Sequence, residues 1–137
     1  MTSKLSIYYC LRKIFVSRFI QNLVKEHDLE EDITVFKADV RDFLRKTGKT
    51  YDIIFADPPF HLGFHEELIA QIFDKNLLRP DGYLIIEHGK QDDFSQEAHF
   101  DICRNFGNVY FSFFKPTVWN AVYSQEVLTP LPKDTKL

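Results

Sequence analysis

Glycine is scarce and late in this sequence: there are five, and the first is Gly48. No Gly-rich loop, the backbone device that lets a chain approach a ligand closely, precedes that position. Cysteine is nearly absent too. Cys10 and Cys103 form no ligand or redox spacing. Both lie among apolar residues, which predicts small buried side chains in a reducing compartment. No apolar run is long enough to span a bilayer. The first residues include basic ones but no clean apolar stretch ending at a small-residue cleavage site, which argues against a signal peptide and for the cytoplasm. The formal charge of −3 gives no global basic field. Lys4, Arg12, Lys13, Arg18 and Lys25 form a local basic cluster, which reads as a solvated helix face.

What is present suits one domain with a single core, in 137 residues of which 45% are hydrophobic. Phe alone accounts for 14 residues and reads mainly as core. Residues 4–9 predict a short strand. From residue 11 to 27 the pattern is helical, with Val16, Phe19, Ile20, Leu23 and Val24 on one apolar face. Ile33-Thr34-Val35-Phe36 is β-branched and aromatic, hence a strand. A short helix follows, with Val40, Phe43 and Leu44 inward and Gly48 as its stop. Tyr51–Ala56 is a strand almost without polar interruption, the pattern of a parallel strand buried on both faces. Residues 64–78 form the next helix, with Leu68, Ile69, Ile72 and Phe73 toward the core. Arg79-Pro80-Asp81-Gly82 is a turn, and Tyr83-Leu84-Ile85-Ile86-Glu87 a second buried strand. Residues 90–98 are polar. Residues 100–106 and 109–114 predict a hairpin closed at Gly107-Asn108. Periodicity then stops, so residues 1–114 are read as the domain and 115–137 as a tail.

Strand–helix alternation followed by a hairpin implies an α/β fold, a mostly parallel sheet with an antiparallel C-terminal edge. Ligands of such sheets bind beyond the carboxyl ends of the strands. Asp39, Asp57 and Glu87 all stand at strand carboxyl ends, which predicts that they line one rim.

The most specific motif is Asp57-Pro58-Pro59-Phe60. By composition it is expected on the order of once in a thousand chains of this length. An exocyclic base amine is a poor nucleophile, because its lone pair is delocalised into the ring. A carboxylate and a carbonyl oxygen that accept both amine hydrogens aim that lone pair at an electrophile. Pro58 and Pro59 lack N–H groups and fix φ, leaving carbonyls available. Phe60 offers a stacking face for a base taken out of its helix. Asp57 then acts as an acceptor, with positioning supplying most of the rate. Taken by themselves, Asp39 reads as a helix N-cap, His61 and His65 as surface residues, and Glu66-Glu67 as a helix start rather than a metal site.

Residues 51–60 resemble the fourth motif of amino methyltransferases that use S-adenosylmethionine. With Phe36-Lys37-Ala38-Asp39-Val40, the Pro80-Asp81-Gly82 turn and the strand after it, and the hairpin through Asn108, the stretch 33–114 is similar to bacterial enzymes that methylate guanine N2 in 16S ribosomal RNA. The resemblance implies a Rossmann-like methyltransferase sheet. It implies that Asp39 contacts the cofactor's adenine amino group, with the Val40 backbone at a ring nitrogen and Asp57 beside the donor. It implies that Asp57, Pro58, Pro59 and Phe60 hold the target guanine under a loop with His61, Gly63 and His65. The partner is then 16S rRNA or the small ribosomal subunit, and the enzyme a monomer without a metal or a membrane.

The family's Gly-rich cofactor loop follows a first strand that has no counterpart here, and Ser6-Ile7-Tyr8 carries no acid where the family grips the ribose. The chain therefore reads as truncated. Loss of a central first strand predicts a split sheet with two unpaired inner edges, and weak or no cofactor binding by this chain alone. The competing readings are an adenine-N6 methyltransferase of DNA or RNA, whose motif is the same, and a non-catalytic α/β module that binds RNA or protein.

Overall fold

A computed structural model describes residues 7–11, 14–58 and 64–116. The chain divides into two compact units, residues 1–48 and 49–137. Among the described residues no helix is long and apolar enough to cross a membrane.

The first unit runs β1 (Ile7–Leu11), α1 (Ile14–Glu26), β2 (Ile33–Lys37) and α2 (Val40–Lys46). β1 and β2 pair in parallel, from Ile7 opposite Ile33 to Leu11 opposite Lys37. Parallel neighbours need a crossover, and α1 supplies it. The helix ends where Asp28 turns left-handed at φ 55° and the Leu29 amide bonds back to the Val24 carbonyl at 2.9 Å. Asp tolerates this conformation through its short polar side chain. The expected inward face of α1 is only partly correct. Val24 and Ser17 are buried, but Val16, Leu23 and Phe19 are exposed, Phe19 to 64%. A two-stranded sheet is too narrow to cover a full apolar face, so the stripe at 16, 19 and 23 is left over. α2 is capped by Asp39 as its residue type predicts. Its stop is Thr47, extended at φ −66°, rather than Gly48.

The second unit contains β3 (Tyr51–Ala56), α3 (Phe64–Asp74), β4 (Leu78–His88), β5 (Phe100–Phe106) and β6 (Val109–Phe114). They form a four-stranded sheet in the order β3-β4-β6-β5, separate from the β1-β2 pair. β3 and β4 are parallel; β4-β6 and β6-β5 are antiparallel. Among the described residues the strands thus fall into two sheets. The hairpin turns at Gly107, φ 62°, a conformation that costs glycine nothing. α3 stops four residues earlier than its periodicity suggests, at a left-handed Asn76 (φ 53°), and Leu77 bonds back to Ile72 at 3.1 Å. The 79–82 turn is an excursion inside β4: Tyr51 pairs with Leu78, yet Ile53 pairs with Tyr83.

The sheet's two faces differ. Leu84, Ile86, His88, Ser112 and Phe114 are buried, as are Leu68, Ile69 and Ile72 of α3 and Phe94 of the 89–99 connection. The opposite face carries Ile53 and Phe55, 64% and 56% exposed, and Phe106, 70% exposed. The expectation that β3 is buried on both faces is therefore overturned. Among the described residues β3 pairs with a strand on one edge only. Two further expectations fail. His65 is buried rather than on the surface, packed on the Phe94 ring at 5.4 Å with Nε2 lacking a hydrogen-bond partner. Cys103 is exposed rather than buried, because β5 is the outer strand of the sheet.

Candidate active site

β3 delivers Asp57 and β4 delivers Glu87 to the same place. Ala56 pairs with Ile86 across the parallel ladder, so the next residue of each strand stands side by side at the carboxyl end. The two carboxyl groups hydrogen-bond to each other. That bond, then partial burial, then the like charge of Asp57 push the Glu87 carboxyl above its ordinary value of 4.5. Glu87 thus keeps its proton to higher pH than an ordinary glutamate and can donate it to Asp57. Pro58 is buried directly behind Asp57 and fixes the chain's exit from the strand. Beside the pair lies an aromatic corner: Glu87 is opposite Phe111 of β6, whose ring is 6.4 Å from Phe55 and 5.9 Å from Phe106. A carboxylate beside a second carboxyl and next to aromatic faces can accept hydrogens from a planar amine.

Of the predicted site residues, the structure brings together Asp57, Pro58 and Glu87. Pro59, Phe60, His61 and Gly63 lie outside the described residues. Asp39 belongs to the other unit and has a local role. Its Oδ1 accepts the Arg41 backbone N–H at 2.9 Å, and its carboxylate takes both Nε and Nη2 of Arg41 at 3.1 Å. Val40 is the first residue of α2.

Sequence reasoning missed His88. Its Nδ1–H donates to the Gly89 carbonyl at 2.8 Å, which leaves Nε2 to accept the Ser112 hydroxyl at 2.7 Å. Both nitrogens are satisfied, and the imidazole pins the end of β4, and hence Glu87, to β6. The available signal was Ser112, the polar residue inside the aromatic strand Val109–Phe114.

Replacing Glu87 by Gln tests the shared proton. Between 4.5 and the raised value, the folded protein binds more protons than the unfolded chain, so this group's contribution to stability falls as pH rises. Glutamine does not titrate. In thermal melts from about pH 4 to pH 8 the Tm of E87Q relative to wild type is expected to rise with pH. A difference that stays constant with pH means the two carboxyls do not interact.

The sheet order, the parallel β3-β4 pair and the closing hairpin define a Rossmann-like fold of the methyltransferase type. The chain belongs to the family described as conserved hypothetical protein 95, which matches residues 12–115. A curated relative, Ribosomal RNA small subunit methyltransferase D of Buchnera aphidicola subsp. Baizongia pistaciae, is 32% identical over 84 residues. That match covers 61% of this chain but only 37% of the relative, so the chain spans little more than a third of it. Among solved structures, a conserved hypothetical protein of Streptococcus pyogenes superposes with a TM-score of 0.72 at 17% identity, over 80% of this chain and 71% of that one. An O-methyltransferase family protein of Burkholderia thailandensis gives 0.58 at 15% identity, over 81% and 43%. These two likenesses establish the fold.

Proposed function

We propose that this chain carries the target-base half of an S-adenosylmethionine-dependent methyltransferase that modifies the N2 amine of a guanine in 16S ribosomal RNA. The observation that carries the reading is the Asp57–Glu87 pair at the carboxyl ends of adjacent parallel strands, at the head of Asp57-Pro58-Pro59-Phe60. Asp57 accepts one hydrogen of the target amine. A carbonyl of the Pro58-Pro59 turn accepts the other, and Phe60 stacks on the base under the loop that contains His61 and Gly63. Glu87 holds Asp57 in place. The curated relative's name supports an RNA substrate, with the small ribosomal subunit as partner.

The methyl donor fits these residues poorly. When bound, it supplies an electrophilic methyl group. By the resemblance alone, Asp39 and the Val40 backbone would contact its adenine and Asp57 would lie beside the donor. Yet the Asp39 carboxylate is already capping α2 and gripping Arg41, and no glycine occurs before Gly48 to let backbone approach the rest of the molecule. Weak or no cofactor binding by this chain alone is the expected result.

Two measurements test the reading together. In calorimetric titration, S-adenosylmethionine is expected to show no micromolar binding to the chain alone; micromolar heat would overturn the cofactor half. In filter binding, small ribosomal subunits with unmodified 16S rRNA are expected to be retained in preference to duplex DNA. Asp57→Asn is expected to weaken that retention about tenfold, the worth of one good hydrogen bond to a charged group. Equal or stronger retention of DNA favours the adenine reading and sinks the guanine one.

A further inference from the structure

We propose that Gln91 reads the N1–H and O6 edge of the target guanine and so selects guanine over adenine. The proposal rests on the functional reading above, in which Asp57 takes the N2 amine, and adds a second point of recognition to that site.

Position carries it first. β4 ends at His88, and Gly89 opens a tight turn whose Asp92 amide donates back to the Gly89 carbonyl at 3.3 Å. That carbonyl also accepts His88 Nδ1–H at 2.8 Å, so the turn is tied to the end of the strand. A strand rises about 3.3 Å per residue and alternates its faces. Carried one residue past its end, β4 places position 89 on the Glu87 side and about 6–7 Å beyond it. Gln91 folds into that space. A Cβ at position 89 would overlap Gln91 Oε1 and lie 2.9 Å from Nε2 and 3.0 Å from Cδ, so the whole amide lies back against the bare glycine. Gln91 is exposed, and its amide has no hydrogen-bond partner among the described residues.

Chemistry carries it further. An amide holds an acceptor and a donor side by side. Guanine presented to Asp57 by its N2 amine has N1–H next along the Watson–Crick edge and then the O6 acceptor, the complement of that pair. Adenine presented by its N6 amine has ring N1 next and then a C–H, which leaves half of the amide unpaired. A site built to bond a group rejects the analogue that lacks it. Bases drawn out of a helix are read along this same edge. The neighbours of Gln91 fit the role less well. Lys90 offers donors only, while ionised Asp92 and Asp93 offer acceptors only, so none of them answers both groups.

The probe is a short, end-labelled uridine RNA with one central purine, bound to the full chain and read by fluorescence anisotropy. The purine is guanine, hypoxanthine (which lacks the N2 amine) or 2-aminopurine (which keeps it but lacks O6 and N1–H). Wild type is expected to bind guanine RNA about tenfold tighter than either analogue. Gln91→Ala should bind guanine RNA about tenfold more weakly and no longer tell it from 2-aminopurine, while still preferring it to hypoxanthine. Gly89→Ala should do the same, because the new methyl pushes the amide away. Its backbone is not left-handed, so alanine is tolerated there and its circular dichroism should match wild type. Asp57→Asn should show the reverse pattern, indifferent to hypoxanthine and still sensitive to 2-aminopurine. If Asp57→Asn behaves so but Gln91→Ala keeps its discrimination against 2-aminopurine, the role of Gln91 is overturned and the functional reading stands. If wild type does not bind guanine RNA, or does not prefer it to hypoxanthine, both are overturned.

Discussion

Phe114→Ala is expected to cost about 3–5 kcal/mol, most of the stability of a chain this size. Phe114 is fully buried near the end of the last strand. In the ladder it stands opposite Leu84 of β4 on one side and Phe100 of β5 on the other. Its ring meets Phe94 edge-on at 5.9 Å and Phe100 at 6.0 Å. Truncation removes a ring that three separate segments share, and the sheet cannot collapse into the gap, because its strands are held apart by their hydrogen bonds. Each edge-to-face contact is worth about 0.5–1.5 kcal/mol beyond area burial. Urea titration should show a lower midpoint, and Phe114→Leu should recover part of the loss. A cost under about 1 kcal/mol would mean that this face is not packed as described.

Gly82→Ala is the second large effect, for the opposite reason. A Cβ at position 82 would sit 2.6 Å from the Asp52 carbonyl oxygen and 3.1 Å from that of Arg79. Both obstacles are backbone, so neither can swing aside. The 79–82 excursion in β4 exists because the chain passes this close to β3, and only a residue without a side chain fits. About 2–3 kcal/mol of destabilisation is expected. The Arg79–Asp52 ion pair beside it spans the same two strands at 3.2 Å, but both side chains are more than half exposed. Arg79→Ala should therefore cost under about 1 kcal/mol. If the alanine at 79 proves the costlier of the two, the excursion is held by charge rather than by close backbone approach.

These sites show what was legible in the sequence. The hairpin was, because Gly107 and Asn108 are turn residues between two β-rich runs. β2, β3, β5 and β6 were placed to within two residues, whereas the first strand begins and ends later than expected and β4 begins five residues earlier, at Leu78. Asp39 was legible as a cap from its residue type alone, and the side-by-side position of Asp57 and Glu87 from their places at strand ends. What failed was cover. Periodicity says that residues 16, 19 and 23 share a face with 24, and that β3 is apolar on both sides. It does not say which of those faces meets a neighbour, since that depends on elements elsewhere in the chain. His65 failed for the same reason: a histidine two residues into a helix reads as polar until Phe94, a lone ring in a hydrophilic stretch, is seen to reach it. The carboxyl–carboxyl hydrogen bond was beyond reach, because register had to be known first.

The Asp57–Glu87 bond has a consequence for any ligand that brings phosphate with it. Two ionised carboxylates at the mouth of the sheet would repel a nucleotide strand. While Glu87 keeps its proton, the pair carries less negative charge than two carboxylates would. A strand arriving with its own negative charge favours that protonated form further. Binding would then draw a proton from solution, so affinity should weaken as the buffer is made more alkaline, quite apart from any change in the ligand.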